Sequence, residues 1–224
     1  MSRVSVISPR ACRKSAEDLQ QALDRKLKGH ITKYVFSYGL SEVDYMGVPR
    51  VNHATAIRRC INKVKTLNTF KWFRIPTVEY CTNPRDIPLH WDVIVVREKV
   101  DGKGNEGLHF VDSPLPRMFR SMPLYTNYFE HRMELRVVVF MGKVFTYRKH
   151  QVLDEWEFHP FRAPKSLTED AIRAAKGLGI DYVGFDVLYN NKGSYAFLEA
   201  NSGPVLIEDV RDYIVDWFVN KLKG

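Results

Sequence analysis

Cysteine is scarce in this chain. Three residues, Cys12, Cys60 and Cys81, are an odd number without metal-ligand spacing, which argues against a disulfide framework or a cysteine zinc site and points to reduced thiols in a cytoplasm. Long apolar runs are missing too. No stretch reaches the roughly 18 apolar residues that a membrane-spanning helix needs, and the apolar core of Met1 to Pro9 is too short for a secretory signal. There is no internal repeat and no low-complexity linker. Basic residues form no long run, which excludes a disordered nucleic-acid arm. What remains is a chain of 224 residues with 45% hydrophobic and 27% charged content, enough for one large domain or two small lobes of a soluble globular protein. A net charge of +8 and a pI near 9.3 imply an anionic partner: nucleotide, acidic peptide, nucleic acid or ribosome surface.

The most informative stretch runs from Val183 to Pro204. Val183 to Tyr189 and Tyr195 to Asn201 are β-prone apolar runs around Asn190-Asn191-Lys192-Gly193-Ser194, a pattern that predicts a strand, a tight turn and a returning strand. Alternation puts Glu199 and Asn201 on one face. A loop with an even number of residues sets Asp186 opposite Glu199, and an odd loop offsets them by one. Two facing carboxylates beside a carboxamide repel each other unless a cation lies between them. Hard oxygen donors suit Mg²⁺, which completes its shell with water and phosphate oxygens. The reading is a metal–nucleotide site; its rival is a hairpin with polar residues on a wet face.

Upstream, Val4 to Ile7 and Tyr34 to Phe36 read as strands, and Ser15 to Leu27 as a helix burying Ala16, Leu19, Leu23 and Leu27. His53 to Asn68 reads as one helix with Ile57, Ile61, Val64 and Leu67 as its buried stripe. Val93 to Arg97 and Leu108 to Val111 read as strands around a glycine-rich loop whose Gly102, Gly104 and Gly107 let backbone amides approach an anion, with Lys103 adding charge. Leu124 to Phe129 is β-prone. Glu134 to Phe140 and Val144 to Lys149 form a hairpin that turns at Gly142, and parity sets Glu134 and Arg136 on one face. There Arg136 is either a salt-bridged edge residue or a planar ligand for phosphate or carboxylate. Ser166 to Lys176 reads as a helix opened by a capping box, Ser166 to Glu169. Ile207 to Leu222 reads as the last helix.

From Asn52 to about Asp209 this order of elements resembles the ATP-grasp superfamily. Glu134-Leu135-Arg136 with Gly142-Lys143 is similar to its ribosomal-protein glutamate ligase branch, and Leu198 to Pro204 to the family's metal-binding turn. The resemblance implies an α+β fold in which two α+β lobes close on Mg·ATP: a shortened N-terminal segment over 1–51, a small lobe over 52–125 and a large lobe over 126–224. It implies Lys63 and Arg97 on the ATP phosphates, Gly102, Lys103, Gly104 and Gly107 in the loop covering them, and Thr126, Asn127, Tyr128 and Phe129 as the hinge against adenine. It further implies Asp186, Glu199 and Asn201 on one or two Mg²⁺ or Mn²⁺ ions, with Arg136 and Lys149 as the catalytic groups and Arg148 beside Lys149 for a substrate carboxylate. Three departures stand out: Arg97 where the family has lysine, Ala200 and Gly203 within the metal turn, and about half the usual chain before Asn52. Together with Tyr38-Gly39-Leu40-Ser41, this compactness is similar to short bacteriophage-encoded members, which would work in the host cytoplasm.

The activity so implied is ligation. ATP phosphorylates a carboxylate, on an amino acid or an acidic peptide or protein, and an amine attacks the acyl phosphate, so that the protein's part is positioning and charge neutralisation. Two other readings stand beside it. The same lobes serve kinases of small hydroxylated substrates, and a basic, non-catalytic module would bind nucleic acid or a ribosome, with Arg117-Met118-Phe119-Arg120 as its nearest candidate. Nucleic acid is the less favoured partner.

Overall fold

Within the computed structural model, residues 4–27, 34–40, 47–101, 107–153, 155–190 and 192–223 are described. The chain begins with β1 (Val4–Ile7), crosses through α1 (Arg13–Lys26), and adds β2 (Tyr34–Ser37) and β3 (Arg50–Val51) to a three-stranded parallel sheet. The period of Ala16, Leu19 and Leu23 gives α1 its buried face.

The expected single helix over 53–68 is two: α2 (Ala54–Ile61) and α3 (Lys63–Trp72). Asn62 breaks it, with ψ at 107°, and its side chain accepts from the Lys65 amide to cap α3. Ile61, expected in the buried stripe, is 44% exposed as a result. Both helices pack on the largest sheet of the protein, where Phe70 meets Phe185 and Phe197 edge-on.

Next come β4 (Tyr80–Cys81), β5 (Val93–Arg97), β6 (Leu108–Asp112) and β7 (Leu124–Asn127), an antiparallel sheet in the order β4-β7-β5-β6. One face is sealed by Trp91, Ile94, Val96 and Tyr125. Its other face carries Val95, Arg97 and Thr126 and is one wall of a cleft.

The opposite wall is a five-stranded antiparallel sheet in the order β10-β9-β8-β11-β12, made of β8 (Met133–Phe140), β9 (Lys143–Val152), β10 (Glu155–Pro160), β11 (Tyr182–Tyr189) and β12 (Tyr195–Asn201). Met141 and Gly142, with φ of 48° and 83°, make the two-residue turn between β8 and β9. Between β10 and β11 lies α4 (Lys165–Leu178), closed by Gly179 in the left-handed region. Its expected capping box does not form. The helix starts at Lys165 on Pro164, which puts Ser166 inside the first turn rather than at the cap. The chain ends in α5 (Glu208–Lys223).

Strand alternation explains how this sheet serves both core and cleft. On β8, Leu135, Val137 and Val139 face α2, α3 and α4. On the other face Glu134 and Arg136 open to the cleft, while Val138 and Phe140 lie beneath the N-terminal sheet and α5. The cleft is the part of that face which the N-terminal segment leaves uncovered.

Candidate functional site

Strands β11 and β12 bring the acidic residues together by an indirect route. Next to the turn, Tyr189 pairs with Tyr195, Leu188 with Ala196 and Val187 with Phe197, so the connection is the odd one. Continued, that register would set Asp186 against Leu198 and turn Glu199 toward the core. A shift between Val187 and Asp186 makes Leu198 an extra residue, after which Asp186 pairs with Glu199 and Gly184 with Asn201. This β-bulge puts two consecutive side chains, Leu198 and Glu199, on the cleft face.

Cations surround the carboxylates. Arg136 Nη2 lies 3.0 Å from Asp186 Oδ1, and Lys149 Nζ lies 3.5 Å from Asp186 Oδ2 and 3.1 Å from Glu134 Oε2. Lys63, the first residue of α3, reaches to 3.5 Å from Glu199 Oε2. The Asn201 amide donates to Glu199 Oε1 at 3.3 Å. Burial pushes the Asp186 carboxyl up to about 6, reinforced by Glu199 and opposed by Arg136 and Lys149. For Glu199 burial acts upward as well, but Lys63, hydrogen bonds from Asp186 and Asn201, and Arg97 together hold its carboxyl below the ordinary value. Burial lowers the Arg97 guanidinium, against the attraction of Glu199.

Several buried polar atoms here, Arg136 Nε and Nη1 and Asp186 Oδ1, lack a hydrogen-bond partner among the described residues; the Arg136–Asp186 contact is close but off the hydrogen-bond line. Two opposed carboxylates and a carboxamide are a hard-oxygen donor set, and an unsatisfied carboxylate oxygen fits a divalent cation.

The cleft holds about 970 Å³, and Arg97, Thr126, Asn127, Tyr128, Phe129, Arg136, Lys149, Asp186, Glu199 and Asn201 all line it. In the Thr126 to Phe129 segment, the amides of Asn127 and Tyr128 donate to the Glu79 and Val93 carbonyls, so a purine held there by main chain would use other groups. Gly102, Lys103 and Gly104 lie outside the described residues. Gly107, with φ of 64°, closes the described end of that loop over the Glu98 side chain. Arg148, expected beside Lys149 for a substrate carboxylate, alternates to the opposite face, because β9 continues as a strand to Val152.

Sequence reasoning missed Trp156. The Lys149 ammonium stands 3.9 Å above its ring, and Gln151 and Trp156, paired across β9 and β10, line the same wall. The strict alternation Glu155-Trp156-Glu157-Phe158-His159 was the available signal for a returning strand. In the Arg117 to Arg120 stretch, Phe119 packs against the His109 ring at 5.0 Å, while the two arginines and Met118, 74% exposed, stand out. That leaves no aromatic platform for bases between those arginines.

No protein-family model matches the chain, and no curated protein does. Solved structures do. The ATP-grasp ligase PsnB with a minimal precursor, Mg and ADP superposes with a TM-score of 0.76 at 14% identity, over 98% of this chain and 97% of that one. A RiPP-associated ATP-grasp ligase of Chryseobacterium gregarium, with ADP and a leader and core peptide, gives 0.75 at 13% identity over 99% and 97%. The D-alanine–D-alanine ligase of Bacillus anthracis with ATP gives 0.69 at 14% identity over the full length of both chains. At such identities the likeness concerns architecture, and on that ground the chain has the ATP-grasp fold.

Proposed function

We propose that this protein is an ATP-dependent ligase that joins a carboxylate to an amine, with Mg²⁺ as its metal. The observation that carries the reading is the convergence of Asp186, Glu199 and Asn201 with Arg97, Arg136 and Lys149 in one cleft, with Lys63 behind Glu199, in a fold shared with ATP-grasp ligases. Asp186, Glu199 and Asn201 would hold the metal, which when bound offsets phosphate charge. Lys63 and Arg97 would draw the triphosphate against the 52–125 lobe, and Arg136, through its unpaired Nε and Nη1, would take the oxygens of the transferring phosphoryl group. Phosphoryl transfer forms a bond from the carboxylate oxygen to the γ-phosphorus as the bond to ADP breaks. The amine nitrogen then bonds to the acyl carbon, inorganic phosphate leaves, and the ammonium proton passes to solvent or to a carboxylate of the 126–224 lobe. Lys149, held by Glu134 and Trp156, would receive the acidic substrate.

Peptides accompany PsnB and the C. gregarium ligase in their structures, which supports a peptide as bearer of the carboxylate. The net charge of +8 agrees with an acidic one. Cys12, Cys60 and Cys81 form no disulfide with one another, which agrees with work in a cytoplasm, and no described helix is long and apolar enough to cross a membrane.

The test is ADP release across a panel of amino acids, peptides and cell-extract fractions, with mass spectrometry of the product. Asp186→Ala and Glu199→Ala should abolish amine-dependent ATP turnover. Turnover that survives either substitution would overturn the reading, and a stable phosphate ester formed without amine would replace it by a kinase.

A further inference from the structure

Beyond the cleft, the N-terminal segment makes contacts that packing alone does not explain. After Asn201 the chain leaves the sheet, and Ser202, Gly203 and Pro204 form a turn with no strand partner. Three side-chain contacts from the N-terminal segment hold it. The Tyr38 hydroxyl donates to the Pro204 carbonyl, the Cys12 thiol to the Gly203 carbonyl at 3.6 Å, and Ser15 Oγ accepts from the Leu206 amide at 3.4 Å. The backbones touch as well. A Cβ on Gly203 would stand 3.3 Å from Gly39 Cα and 2.9 Å from Cys12 Sγ. Gly39, at φ +76°, is also where β2 turns away. The two glycines fit each other, which accounts for glycine at 203.

We propose that Tyr38 is a positioning residue for the metal site: by fixing the Pro204 carbonyl it holds the turn after β12, and through that turn the Asn201 carboxamide. The inference rests on the ligase reading above. Tyr38 is suited to the role. It is fully buried, its own amide donates to the Ile7 carbonyl at 2.8 Å, and its ring lies between Phe36, at 6.0 Å, and Tyr182, at 5.6 Å, the residue that begins β11. The ring thus contacts the strand that carries Asp186 while the hydroxyl contacts the turn that follows Asn201. Burial pushes the phenol up to about 12, so it remains a donor at any physiological pH. With Nδ2 directed to Glu199, the Asn201 Oδ1 would be left to face a bound cation, and its direction would depend on where the turn is anchored.

The test compares wild type, Tyr38→Phe and Phe218→Leu, the last a substitution in the same aromatic core, against Phe36 and Phe140 rather than Tyr38. Mn²⁺ binding in the presence of ADP is followed by the loss of the free-ion electron paramagnetic resonance signal, and ADP release is measured against Mg²⁺ concentration. Loss of one positioning hydrogen bond should raise the half-saturating metal concentration of Tyr38→Phe roughly three- to tenfold, with kcat at saturating metal within about twofold of wild type. Phe218→Leu should lower thermal stability without that shift. Should Tyr38→Phe fail to fold, Ser15→Ala, which removes a neighbouring tie, should move metal affinity in the same direction. An unchanged half-saturation in whichever variant folds, or an equal shift in Phe218→Leu, overturns the inference and leaves the ligase reading standing. A wild-type protein that neither binds Mn²⁺ with ADP nor releases ADP overturns the reading itself.

Discussion

Gly184 has no side chain because Arg136 and Pro204 occupy the space beside it: a Cβ there would lie 3.1 Å from Arg136 Nη1 and 2.7 Å from Pro204 Cβ. The proline ring cannot yield cheaply, so Gly184→Ala should displace Arg136 or the turn after Asn201. Overpacking of this kind costs about 1–3 kcal/mol. A displacement near an ångström at a reacting group can cost about a hundredfold in rate. Turnover of ATP should therefore fall far more than stability in Gly184→Ala, as measured by ADP release beside urea denaturation. Near wild-type turnover would remove Arg136 from the chemistry.

The buried Asp186 carboxyl makes a second prediction, in pH. Burial raises this carboxyl from 3.8 to about 6, so the folded protein retains a proton that the unfolded chain has already released. Its contribution to stability is complete below the unfolded value and is lost as the pH rises through about 6. Glu199, held below its ordinary 4.5, works oppositely: its contribution is present above that value and is lost at more acid pH. Stability of the ligand-free protein should decline from about pH 4 to pH 6, and Asp186→Asn should flatten the decline. Urea midpoints across that range provide the measurement; an undiminished slope in the variant would assign the decline to other groups.

How far these features are legible in the sequence depends on their range. Asp186, Glu199 and Asn201 stand out because alternation is local, and the strands around them follow from β-prone runs. Their meeting is not local. The odd turn alone would have turned Glu199 away from Asp186, and the bulge at Leu198 that corrects it leaves no mark in the local pattern of apolar and polar residues. Asn62 shows the same limit: periodicity runs through it, yet its capping of α3 breaks the helix and brings Lys63 to Glu199. The Gly39–Gly203 contact joins distant segments, so neither glycine alone signals it.

Lys149 owes its position partly to Trp156. The ring lies 3.9 Å below the ammonium, an arrangement worth about 0.5–2 kcal/mol. Trp156→Ala should therefore raise the KM for the acidic substrate by about two- to thirtyfold and leave the KM for ATP near its wild-type value. Trp156→Phe, which keeps a π face, should recover most of the loss. Equal effects on both substrates would assign Trp156 to general packing.

Asn52 supplies the last prediction, on stability. It is fully buried with φ of 64°, a conformation asparagine tolerates better than most residues. Its Oδ1 accepts from the Asp181 and Tyr182 amides at 3.1 and 2.8 Å, and its Nδ2 donates to the carbonyls of Tyr182 at 2.8 Å and Ser37 at 3.4 Å. One side chain thus joins the end of β2 to the start of β11, just ahead of α2. Asn52→Ala would leave several buried groups unpaired at about 1–3 kcal/mol each and would add strain from the left-handed backbone, for a total of about 3–5 kcal/mol. Asn52→Gly removes the strain but not the unpaired groups, and should fall between wild type and alanine by about 1 kcal/mol. Urea denaturation separates the two contributions: a loss under about 1 kcal/mol in Asn52→Ala would mean that water takes over these hydrogen bonds.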